Sequence, residues 1–284
     1  MRRIWTIGPA AAFLGVAAIA VGGPVSQAGR VAAPILVELP PGSFAYRASG
    51  AFTRAGRPAE APLVTVAIRR PLAVMKYQVT VAEYRRCADS GACPPVAQDG
   101  PDRPVVKVSW HDAQVYAAWL SRATGLRFRL PTDAEWAYAA AGRFADDALP
   151  PGLEDPGSRA LARYERERGG ASVGPADPQP AGSFGENEHG IADLSGNVWE
   201  WTDTCFERQG LDAPVEPTTD CFVRVVEGRH RTYLSDFLRT ARGGGCSAGL
   251  PVANLGFRLV RDDASWSPLH AVAAWARHLA GLDA

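Results

Sequence analysis

The run Asn187-Glu-His-Gly-Ile-Ala-Asp-Leu-Ser-Gly-Asn-Val-Trp-Glu-Trp201 constrains this chain more than any other segment. Two tryptophans flank one glutamate, and a Gly-Asn pair precedes them. The pattern suits neither an ordinary amphipathic helix nor an ordinary strand. Two readings follow from the residues. Asp193 and Glu200 supply hard carboxylate oxygens, and the carbonyls of Gly196 and Val198 can turn inward between them, a ligand set of the kind calcium takes. Alternatively, the segment is a turn anchored by tryptophan, with its carboxylates bonded to backbone.

Such a segment belongs to a chain rich in loops. There are 29 glycines and 23 prolines among 284 residues, with no collagen-like period. Hydrophobic residues make up 46%, enough for a folded globule with a core. Formal net charge is zero with 21% charged residues, which argues against a basic nucleic-acid binder and against an acidic disordered tail.

Residues 1–28 have the pattern of a secretory signal peptide. Arg2 and Arg3 precede a run from Ile4 to Gly23 without charge, and Ser26-Gln27-Ala28 offers small residues before a cut at Gly29. An uncleaved anchor is the alternative, since about 20 apolar residues can span a bilayer. Cleavage would place the mature chain in the periplasm or outside the cell, with no membrane span of its own. Disulfides persist there. Cys87 and Cys93 flank a short loop, and Cys205 and Cys221 bracket a loop rich in Pro, Asp and Thr; each couple is expected to pair. Cys246 is left over, as a free thiol or one half of an intermolecular pair, or else as a small buried hydrophobe.

Three helices are marked by their caps. Thr80-Val-Ala-Glu83 and Thr132-Asp-Ala-Glu135 are capping boxes, and Ser109 caps a helix that stops at Gly125. Short strands are expected over 35–39, 63–69, 127–130, 222–226 and 257–260. Residues 144–182 read as a long surface loop with one helical turn near 159–166. A last helix begins at Ser267-Pro268, so residues 29–265 form one α+β domain and 266–284 a C-terminal helix. No zinc-hydrolase histidine pattern, Gly-x-Ser-x-Gly elbow, phosphate-binding loop or dinucleotide fingerprint is present.

Several ordered motifs carry a resemblance. They are Pro104-Val-Val-Lys-Val-Ser-Trp-His-Asp-Ala113, Arg129-Leu-Pro-Thr-Asp-Ala-Glu-Trp136, Gly196-Asn-Val-Trp-Glu-Trp201, Arg242-Gly-Gly and Asn254-Leu-Gly-Phe-Arg258. Pro40-Pro-Gly-Ser-Phe44 and Tyr77-Gln-Val-Thr80 precede them, with Gln78 where a glutamate is usual. Together they resemble the formylglycine-generating enzyme family, the sulfatase-modifying factor domain, over about residues 35–261. The resemblance implies a C-type-lectin-like α+β fold with little regular secondary structure. It also implies calcium held by Asp193, Gly196, Val198 and Glu200. The family's other calcium site would fall in 169–180, where its ligands are not matched.

The family's oxidases bind copper through two cysteines four residues apart, after an Arg-Gly-Gly-Ser-aromatic segment, and oxidise a substrate cysteine to formylglycine. Here Arg242, Gly243, Gly244 and Gly245 mark the corresponding pocket, but Gly245 and Cys246 replace the serine and the aromatic residue. No second cysteine lies near. Soft thiolates at close spacing are what Cu(I) needs, so copper chemistry is not expected. Cys246 is a weak catalytic candidate. The expected function is an exported, calcium-stabilised binding or accessory module for a peptide, glycan or small molecule, not for nucleic acid. The alternative is an oxidoreductase of the family, of the siderophore-maturation type or generating formylglycine on a sulfatase. A hercynine-synthase-like enzyme is disfavoured, since a second helical domain and an iron-binding histidine triad are missing.

Overall fold

The computed structural model describes residues 31–146, 162, 177–212, 217–239 and 254–262. The signal segment, most of the 144–182 loop, Arg242–Cys246 and the C-terminal helix lie outside the described residues.

All three expected helices form where their caps place them. Helix α1 (Val81–Asp89) starts at Thr80 and α3 (Asp133–Ala140) at Thr132, each with a complete capping box. Helix α2 (Trp110–Thr124) starts at Ser109, where Asp112 closes a third box. Gly125 ends α2 in the left-handed region at φ 75°, where glycine carries no Cβ penalty.

The strands are more extensive than the sequence pattern suggests. One sheet runs β1 (Leu36–Leu39), β6 (Leu72–Met75), β12 (Val260–Arg261), β7 (Phe128–Arg129). A second runs β10 (Thr232–Ser235), β9 (Thr218–Glu227), β8 (Trp199–Gly210), β3 (Ala51–Arg54), β4 (Arg57–Ala59), with β11 (Leu255–Gly256) parallel to β8. Strands β2 (Gly42–Arg47) and β5 (Leu63–Ile68) form an antiparallel pair. The segment ending in Trp-Glu-Trp201 therefore enters a 12-residue strand, which corrects its reading as non-strand. The few helices and many short strands make the domain α+β.

Two apolar clusters form the core. The larger gathers Tyr84, Tyr116, Leu130, Trp201 and Phe257 between α1, α2 and the sheets. The smaller gathers Leu39, Trp136, Ile191, Leu194 and Val260 around α3. Gly256 lets β11 lie against the chain at Val105: a Cβ on Gly256 would sit 2.5 Å from the Val105 carbonyl. Both expected disulfides are present, Cys87–Cys93 and Cys205–Cys221. The second closes the β8–β9 ribbon at a bulge. Asp220 pairs with Phe206 and Arg224 with Cys205, so three residues of β9 bow out between them.

Candidate functional site

Four of the motifs meet at one buried carboxylate. Gly256 of β11 lies opposite Glu200 of β8, and two residues later Arg258 reaches the same carboxylate. Its Nε donates to Glu200 Oε2 at 2.6 Å and its Nη2 to Oε1 at 2.7 Å. Trp136 of α3 donates its indole N–H to Oε2 at 2.8 Å. Gln78, just before the α1 cap, donates Nε2 to Oε1 at 2.8 Å. Glu200 and Arg258 are both buried, 1% and 0% exposed. The remaining Arg258 donors serve the carbonyls of Met75, Lys76 and Ala192. A bidentate arginine pair with every donor used is the arrangement that makes a buried charge tolerable.

The residues expected to hold calcium are brought together. Asp193 accepts the backbone N–H of Gly182 at 2.5 Å and of Phe184 at 2.9 Å. That is the backbone-bonded turn of the alternative reading. The Gly196 carbonyl accepts from Gln78 Nε2 at 3.2 Å. Val198 is buried against Gly256. A carboxylate has about four acceptor positions, and Glu200 already receives four donors. Calcium requires oxygen lone pairs, and the Arg258 guanidinium places a positive charge beside this one. As arranged, these groups do not fit the ion.

The loop itself is set by three residues in the left-handed region, Asp193, Ser195 and Asn197, with φ of 61°, 59° and 61°. Non-glycine residues adopt that region when their surroundings over-determine it. Here the Ser195 hydroxyl donates to the Arg143 carbonyl, and the Asn197 amide bonds both the N–H and the carbonyl of Gln179.

A second buried network lies next to the first, and the sequence reading missed it. Glu227 is paired with Glu200 across β8–β9. Arg231 Nε lies 3.1 Å from Glu227 Oε1 and 3.2 Å from Asp133 Oδ2. The Tyr46 hydroxyl also donates to Asp133. Glu227 and Asp133 thus share one guanidinium in a fully buried site. Burial, then the Asp133 charge, pushes the Glu227 carboxyl well above the usual carboxylate range. The folded chain thus keeps a proton that the unfolded chain releases near the ordinary glutamate pKa. This contribution to stability is complete below that pKa and declines as pH rises towards the folded value. A Glu227→Gln variant, neutral throughout, is expected to gain melting temperature relative to wild type as pH is raised from about 5 to 8. Paired thermal melts check this; a difference independent of pH contradicts it.

Two cavities lie near these networks. A cavity of about 380 Å³ is lined by Arg47, Phe144, Asp146, Arg229 and His230, among others. A smaller one, about 70 Å³, is lined by Phe184, Gly196, Asn197, Val198, Trp199 and Arg229, among others. Arg229 borders both. Among the described residues, no helix is long and apolar enough to cross a membrane.

The fold and the converging motifs define an α+β domain organised around a buried Glu-Arg-Trp-Gln hub. Its sequence matches the sulfatase-modifying factor enzyme 1-like domain over residues 23–263, and the chain belongs to that family. It is 36% identical over 180 residues to a formylglycine-generating enzyme of Streptomyces coelicolor, covering 57% of this chain and 54% of that protein. It is 38% identical over 115 residues to a Mus musculus protein named inactive C-alpha-formylglycine-generating enzyme 2, covering 39% of this chain and 35% of that one. The chain spans about half the length of the first of these relatives and less of the second. Among solved structures it is similar to PvdO from Pseudomonas aeruginosa, with 28% identity and a TM-score of 0.53, over 81% of this chain and 94% of that one.

Proposed function

We propose that this chain is an exported member of its family that works as a binding or accessory module and not as a copper-dependent oxidase. One observation carries the reading: the two disulfides take four of the five cysteines. Cys246 is left as the one thiol, where a Cu(I) site of the family's kind needs two. The disulfides also support export, because they persist in oxidising compartments. Glu200 already receives four donors, which leaves no lone pair for a reacting group, so the hub serves as scaffold. The cavity bordered by Arg47, Phe144 and Arg229 offers a concave surface for a peptide, glycan or small molecule.

Titration of the full-length protein with Cu(I) tests this. Binding is expected to be weak and equal in wild type and Cys246→Ser. Tight, stoichiometric binding lost in Cys246→Ser would contradict the reading. The likeness to PvdO keeps a second reading in view, an oxidoreductase of the family working without the cysteine pair. Oxygen uptake with a small-molecule substrate would favour it.

A further inference from the structure

Gln78 is completely buried, and its amide nitrogen sits among three oxygens. Nε2 lies 2.8 Å from Glu200 Oε1, 3.2 Å from the Gly196 carbonyl and 3.4 Å from the Asp193 carbonyl. These oxygens come from the same loop whose residues were expected to surround a calcium ion. The orientation of the amide is decided by this environment: turned over, its oxygen would face three acceptors. Its Oε1, on the other side, has no hydrogen-bond partner. An unpartnered buried carbonyl is a cost, and it is tolerated here because the nitrogen is the group the oxygens require.

We infer that the Gln78 carboxamide takes the position of a cation in this loop, so that the 193–200 segment is held in place without calcium. Two features support the substitution. Gln78 brings N–H donors without adding charge, and Arg258 already neutralises Glu200 at 2.6 and 2.7 Å. A cation added to this arrangement would have to displace the amide and take a lone pair of Glu200 from a guanidinium or indole N–H. The resulting loop geometry is independent of calcium concentration.

The test uses the full-length protein and compares thermal midpoints in calcium chloride and in EGTA. A ligand that binds only the folded state raises the midpoint by mass action. Wild type is expected to melt at the same temperature in both, or to show a calcium effect that Glu200→Gln leaves unchanged because it arises elsewhere. A calcium-dependent rise in wild type that Glu200→Gln abolishes would overturn the inference. Gln78→Glu provides an independent arm. It replaces the donor with a carboxylate facing the same oxygens, and calcium is expected to raise its midpoint above any effect in wild type. A Gln78→Glu protein that folds yet gains no calcium dependence would also overturn it. Should either variant fail to fold, the wild-type comparison with isothermal titration of calcium chloride still decides: a stoichiometric site together with a midpoint that falls in EGTA counts against the inference, and no binding supports it.

Discussion

An Arg258→Leu variant is expected to lose about 3–5 kcal/mol of stability, the range typical when one partner of a buried ion pair is removed. Glu200 would be left with only Trp136 and Gln78 as donors, at 1% exposure. The carbonyls of Met75, Lys76 and Ala192 would lose their donor as well. Most of the loss is the penalty for a stranded charge, not the net worth of the pair. Glu200→Gln combined with Arg258→Leu is therefore expected to be less destabilised than Arg258→Leu alone. Urea unfolding of the three proteins measures this. A loss below about 1 kcal/mol for Arg258→Leu would mean that Glu200 is hydrated or protonated, contrary to its place in the hub.

The second large effect concerns the β8–β9 ribbon. Cys205 and Cys221 are 16 residues apart and joined across the bulge. Closing a loop of about that size contributes about 3 kcal/mol in the chain-entropy model. Neither cysteine belongs to the buried core, so replacing both with alanine removes the constraint and little packing. Cys205→Ala with Cys221→Ala is expected to lower stability by about 3 kcal/mol. Cys87 and Cys93 are only 6 apart, and their closure contributes less by the same model. They are core residues, however, and their replacement also opens space beneath α1. Denaturant melts of the Cys205/Cys221 variant with an unchanged midpoint would show that the ribbon is fixed by its ladder and not by the crosslink.

What the sequence made legible here was local. Capping boxes involve residues three apart, so Thr80, Ser109 and Thr132 mark helix starts without knowledge of the rest of the chain. The paired cysteines were legible for a similar reason, as close couples around loops. The long strand β8 was not. Its stretch Thr202–Gly210 is polar and irregular in period, and it is a strand because β9 and β3 pair with it from distant parts of the chain. The hub was half legible. Gln78, Trp136, Glu200 and Arg258 each lay in a motif, but that the other three all serve Glu200 is a tertiary fact. The calcium set was read from residue types and from the resemblance, and neither reveals that Arg258, Trp136 and Gln78 together take the four acceptor positions of Glu200. Glu227 and Arg231 gave no signal, and Asp133 stood in a motif only as part of a helix start, since a charged residue in a mixed sequence looks solvated until its neighbours are known.

The account rests on a chain that keeps a single thiol. Alkylation of the denatured, unreduced full-length protein, followed by peptide mapping, tests this most directly. It should find one modified cysteine, Cys246, with Cys87–Cys93 and Cys205–Cys221 intact. A Cys246 link to any of the other four, or a second free thiol, would contradict the account and return a two-thiolate copper site to consideration.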